Sequence, residues 1–183
     1  MQSRGSTVII CVTATDADKD ELSYSYEVNG GSISGSGASV AWAMPNGEGS
    51  YTVNALTTQI NGSASFPAGT SGDLANAKVS IYTSYDNWNQ NNPLQFVAAT
   101  GNGSNISFTI SDMPAGVYYL DVWKDVDNSG GWSYGDYVGW YGNGGLGSPS
   151  LTEISILEGE TKNLSISMMI INGKMMQNIK QIQ

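Results

Sequence analysis

Asp125, Asp127, Ser129, Ser133 and Asp136 place five oxygen-bearing side chains within twelve residues, Asp125-Val-Asp-Asn-Ser-Gly-Gly-Trp-Ser-Tyr-Gly-Asp136. Counted from Asp125 they hold positions 1, 3, 5, 9 and 12, and Gly130 holds position 6. This is the spacing of a calcium-binding loop. Calcium is a hard cation that collects about six to eight oxygens, and so short a segment can deliver them only by turning sharply in its middle. Glycine permits that turn because it reaches left-handed backbone angles without a Cβ clash. The spacing assigns side-chain ligation to Asp125, Asp127 and Ser129 and carbonyl ligation to Gly131. Ser133 would act directly or through water, and Asp136 would close the shell. Asp at position 12 is shorter than the usual Glu, which curtails bidentate reach and predicts weak affinity.

A second acidic run, Asp16, Asp18 and Asp20 with Glu21, also alternates carboxylates. It lacks a mid-loop glycine and has Lys19 inside it, so it reads equally as a second calcium site or as a solvated turn. Aromatic residues crowd in and just after the first loop: Trp132, Tyr134, Tyr137, Trp140 and Tyr141. Tyr85 and Trp88 sit in another Asn-rich stretch. Such rings either stack on sugars, making the Trp132–Tyr141 cluster a carbohydrate contact for surface glycans, or pack on a sheet and shield the loop from water.

Composition narrows the chemistry. Seven basic residues stand against sixteen acidic ones in 183, for a net charge of −9. That surface repels nucleic acid and anionic membrane, so neither is an expected partner. No apolar run approaches the roughly eighteen residues of a membrane span. Histidine is absent, which removes the commonest general base and any ordinary Ser-His-Asp triad. The carboxylates crowd into turns instead of facing each other across a cleft, so no enzyme is expected. Cys11, the single thiol, lies in the apolar run Thr7–Ala14 and is expected to be a buried strand residue. An acidic chain bearing a low-affinity calcium loop suits an extracellular, secreted or cell-surface setting rich in calcium.

The elements that must position these residues read as strands. Alternation of period two marks Ala77–Tyr82, Ile106–Ile110, Val117–Trp123, Leu151–Leu157 and Asn163–Met168. Upstream, Val8–Ala14, Leu22–Val28, Ala38–Met44 and Ser50–Leu56 form an earlier set. Six Asn-Gly pairs, beginning at Asn29, Asn46, Asn61, Asn102, Asn143 and Asn172, predict type I′ turns between strands. No helical period is sustained. The chain is therefore expected to be all-β and of sandwich type, with a boundary near residues 57–60. The acid-free tail 169–183 is expected to be an edge strand, able to complete the first module or to pair with a neighbouring chain in a homo-assembly.

Cys11-Val-Thr-Ala-Thr-Asp16-Ala-Asp18-Lys-Asp20, the strand ending at Trp42 and Gly49-Ser-Tyr-Thr-Val53 together resemble the middle of bacterial immunoglobulin-like domains of the PKD or cadherin-like kind. The flanking strands of that family are not evident, which implies an incomplete immunoglobulin-like module over 1–57. Ile60–Phe66, Leu74–Tyr82, Phe108–Leu120 with its Pro114-Ala-Gly116-Val-Tyr turn, and Ile154–Ile166 resemble a carboxypeptidase regulatory-like domain. That resemblance implies a transthyretin-like β-sandwich over 58–168, non-catalytic despite the family's name and an accessory to other protein modules. Its bacterial members often carry a metal-loop-like insertion where this chain has Asp125–Asp136.

Overall fold

A computed structural model describes residues 5–13 and 24–172, excepting the side chains of residues 55 and 56. The chain is all-β, as the two-residue alternation predicts, and the described residues hold a single five-residue helix. By internal contacts it divides into two compact units. Unit 1 comprises Met1–Gln59 with Ser111–Ala115 and Leu157–Thr161; unit 2 comprises Ile60–Ile110, Gly116–Ile156 and Lys162–Gln183.

Unit 1 holds β1 (Thr7–Cys11), β2 (Ser25–Val28), β3 (Ser32–Ser34), β4 (Ser39–Ala43) and β5 (Val53–Leu56). They form a three-stranded sheet in the order β1-β4-β3 and a β2-β5 pair. Val40 and Trp42 point inward from β4, and the Trp42 indole donates to the Gly30 carbonyl at 2.9 Å. Cys11 corrects the expectation of burial. It lies in β1 as foreseen but on the exposed face, in alternation with Val8 and Ile10, because only one face of β1 is covered. The acidic run Asp16, Asp18 and Asp20 lies outside the described residues.

The second unit is built from β6 (Gln59–Ser65), β7 (Lys78–Tyr82), α1 (Tyr85–Asn89), β8 (Gln95–Ala98), β9 (Thr100–Asn102), β10 (Asn105–Ile110) and β11 (Gly116–Lys124). The chain continues through β12 (Tyr137–Trp140), β13 (Gly142–Gly145), β14 (Ser148–Leu151), β15 (Ile154–Ile156), β16 (Thr161–Ser167) and β17 (Met169–Ile170). One sheet runs β16-β6-β10-β9; a larger one runs β17-β12-β11-β7-β8, with β15 also on β11. Alternation sends Ile60, Ala64, Ile106, Phe108, Leu164 and Ile166 inward from the smaller sheet and Val79, Ile81, Leu120 and Val122 from the larger. The sheets approach closely where β12 meets β16: a Cβ on Gly139 would lie 2.6 Å from the Ser167 carbonyl.

Two details depart from the turn and tail expectations. None of the asparagines in the five described Asn-Gly pairs has the positive φ that a type I′ turn demands. Asn61-Gly62 lies inside β6, where the missing Cβ makes room for Phe108 across the ladder; a Cβ would fall 2.2 Å from that ring. Asn143-Gly144 lies inside β13. At Asn102 the pair does flank a hairpin, but the two turn residues are Gly103 and Ser104, with φ +70° at Gly103 alone. The tail, in turn, begins later than residue 169. Met169–Ile170 pair with β12 at the edge of the larger sheet, and the fully buried Met168 alone joins β16 in one sheet to β17 in the other. Residues beyond Asn172 lie outside the described set.

Candidate metal centre

The loop from Asp125 to Asp136 is the connection between β11 and β12, whose last antiparallel pair is Lys124↔Tyr137. Register therefore brings Asp125 and Asp136, the first and last loop residues, to the same end of the hairpin. Here the strand ladder gathers the two ends of the loop, with no helix at either side. Between them the chain reverses at Asn128 (φ +58°) and Gly130 (φ +80°), and again at Gly135 (φ +94°). A Cβ on Gly130 would meet no neighbour, so what the glycine supplies there is the left-handed angle itself.

Asp125, Asp127 and Asp136 each offer a carboxylate oxygen, and these three oxygens lie within 4.8 Å of one another. A calcium shell with bonds of 2.3–2.6 Å spans about 4.6–5.2 Å across, so no two of these oxygens lie too far apart to share one ion. Ser129 Oγ lies 3.0 Å from the Gly131 carbonyl, and Ser133 Oγ lies 3.0 Å from Asp127 Oδ2. Both are hydrogen-bonded pairs, and the hard carboxylate oxygens of the three aspartates are the donor type that fits a divalent cation such as calcium.

The loop's own donors hold the carboxylates in place. Asp125 accepts from the Ser129 and Gly130 amides at 3.1 and 2.9 Å. Asp127 accepts from the Ser129 amide at 3.0 Å and from the Ser133 hydroxyl at 3.0 Å. Hydrogen bonding from Ser129, and then from Ser133, holds the Asp127 carboxyl below its ordinary value of 3.8. Asp136 is fully buried and accepts three bonds: Val126 N at 2.9 Å on Oδ1, with Ser133 N at 3.0 Å and Trp123 Nε1 at 3.1 Å on Oδ2. A carboxylate has about four acceptor positions, so each of the three retains lone pairs for a cation.

The aromatic cluster divides. Trp132 packs from the loop onto a small core of Val138, Trp140, Leu146 and Ile171. Trp140 is buried and donates to the Asn143 carbonyl at 2.8 Å. Tyr137 meets Phe66 edge-on at 5.0 Å, and Tyr141 is half-buried. Tyr134 alone of the five is exposed, at 70%. Trp88 is also buried, on α1, while its neighbour Tyr85 is partly exposed.

Sequence reasoning passed over Asp121. It is 3% exposed on β11, where Trp88 Nε1 donates to Oδ2 at 2.8 Å and the Tyr82 hydroxyl approaches at 3.2 Å. Burial, and then the Asp121 charge, push the Tyr82 phenol far above its ordinary value. The available signal was an acid in the middle of the otherwise apolar run Val117–Trp123. The chain matches no protein-family model, no curated protein and no solved structure.

Proposed function

We propose that this chain is a non-catalytic extracellular module of a surface or secreted protein, whose Asp125–Asp136 loop is held in shape by calcium. The observation that carries the reading is the meeting of three carboxylate oxygens within 4.8 Å. Three like charges so close repel one another, and a divalent cation turns that repulsion into attraction. The resemblance of 58–168 to carboxypeptidase regulatory-like domains and of 1–57 to PKD-like domains points the same way. Modules of both kinds serve as accessories or adhesive spacers beside other modules. Low affinity is no handicap outside a cell, where dissociation constants of about 10⁻⁴ to 10⁻³ M suffice.

Thermal melting in about 10 mM calcium against chelator tests this. With such affinities mass action stabilises the folded chain by about 1.4–2.7 kcal/mol, or roughly 3–10 °C for a protein of this size. Terbium provides a direct readout, since Trp132 in the loop and Trp123 on Asp136 can sensitise its emission. Equal melting points together with no terbium signal would remove calcium from this loop.

A further inference from the structure

The metal loop has a second attachment, outside its own hydrogen bonds. Gly135 N donates to the Ile171 carbonyl at 2.9 Å, and Ile171 N donates to the Asp136 carbonyl at 2.8 Å. These two bonds lie just past the end of the β12–β17 ladder, Val138↔Met169 and Tyr137↔Ile170, and tie Ile171 to two successive loop residues. The Ile171 side chain is fully buried against Val138, Trp140 and Leu146. Asp136 is thus shared: its carboxylate faces Asp125 and Asp127, while its carbonyl holds the C-terminal edge strand.

We propose that cation occupancy of the loop and docking of the edge strand Met169–Ile171 form one linked equilibrium, so that calcium sets whether the edge of the larger sheet is closed. The inference rests on the calcium reading above. Its physics is local. β17 has two ladder residues, so its hold depends heavily on Ile171, both as an apolar plug and through the paired bonds at Gly135 and Asp136. Without a cation, repulsion among the three carboxylates works against the bonds that hold Asp136, and so weakens the position of the Ile171 amide's acceptor. With a cation, Asp136 is fixed at both its side chain and its carbonyl. Strand ends with few buried contacts are the segments that open at least cost. Linkage makes the effect reciprocal: whatever calcium adds to strand docking, strand docking adds to calcium affinity.

Amide hydrogen exchange of the whole chain, read by NMR in calcium and in chelator, tests the link beside terbium binding to the same samples. The Ile171 amide, which donates to the Asp136 carbonyl, is expected to exchange at least ten-fold more slowly with calcium, while Ile81 and Leu120 in the central strands change far less. Ile171→Ala is expected to weaken calcium binding five-fold or more; Ile171→Val, which keeps most of the plug, stands in if the alanine variant does not fold. Terbium binding with unchanged exchange at Ile171 and undiminished affinity in the variants would overturn the linkage and leave the calcium site intact. Absence of terbium binding would overturn the calcium reading, and this inference with it.

Discussion

The indole nitrogen of Trp123 lies 3.1 Å from Oδ2 of Asp136, so the end of β11 clamps the loop residue just before β12. The carboxylate also takes two backbone amides, Val126 and Ser133, and is sealed from water. Its removal strands three donors.

Asp136→Ala is therefore expected to cost about 3–5 kcal/mol, since unpaired buried donors keep their full desolvation penalty. Asp136→Asn is expected to lose less, about 2–4 kcal/mol, because an amide can accept on one side only and turns its NH2 toward a donor on the other. Denaturant midpoints in chelator measure both. A loss below about 1 kcal/mol for the alanine variant would mean that water replaces the carboxylate without penalty.

Acid weakens the loop in a definite window. The Asp127 carboxyl is lowered by Ser129 and Ser133, and Asp73 is lowered by the Ala75 and Gly103 amides. Both groups stabilise the folded chain above the ordinary aspartate value of 3.8. That stability is lost as pH falls below it toward the depressed folded values. Carboxyl ¹³C titration is expected to place both residues below the ordinary aspartate value, and stability curves to fall below about pH 4. If the loop holds calcium as proposed, its affinity should decline in the same range, because protons compete for Asp127.

At the alkaline end, Tyr82 governs. Its phenol is raised by burial and by Asp121, so stability is complete below the ordinary value of 10.0 and falls as pH rises above it. Absorbance at about 295 nm is expected to show one tyrosine that ionises only with unfolding. Asp121→Asn removes the charge and is expected to bring that titration down in pH. It also costs roughly 2–4 kcal/mol, as the Trp88 and Tyr82 donors lose a charged acceptor.

Gly62→Ala puts a methyl 2.2 Å from the Phe108 ring and is expected to cost about 1–3 kcal/mol through forced repacking. Phe108→Leu costs stability alone but should recover part of the loss in the double variant. A double-mutant cycle with coupling near zero would mean that the ring moves aside freely.

Trp140→Ala is expected to destabilise by about 3–5 kcal/mol, because the ring is buried in the small core beside the loop. Tyr134→Ala should stay within about 0.5 kcal/mol, since that ring is 70% exposed. A glycan contact through this cluster would therefore be lost on Tyr134→Ala at unchanged stability, a result that glycan-array binding can read.

Local alternation made the fold class legible: Lys78–Tyr82, Asn105–Ile110 and Gly116–Lys124 lie where period two put them. β12 was hidden because Tyr137-Val-Gly-Trp140 reads as part of an aromatic patch, and its strand character comes from pairing with β11. Asn-Gly misled because a glycine inside a strand can serve packing instead of turning, as Gly62 does beneath Phe108. In the candidate site, spacing named the oxygens but could not foresee the donors from Trp123 and Val126 that fix Asp136. Asp121 escaped because its partners Tyr82 and Trp88 lie more than thirty residues away in sequence.

Met168 carries the chain from one sheet to the other in a single step. Tension arriving from the residues after Asn172 therefore meets Ile171 and the short β17 before it can reach the seven-residue β16. Load from that side falls first on the residue bonded to Gly135 and Asp136 in the aspartate loop.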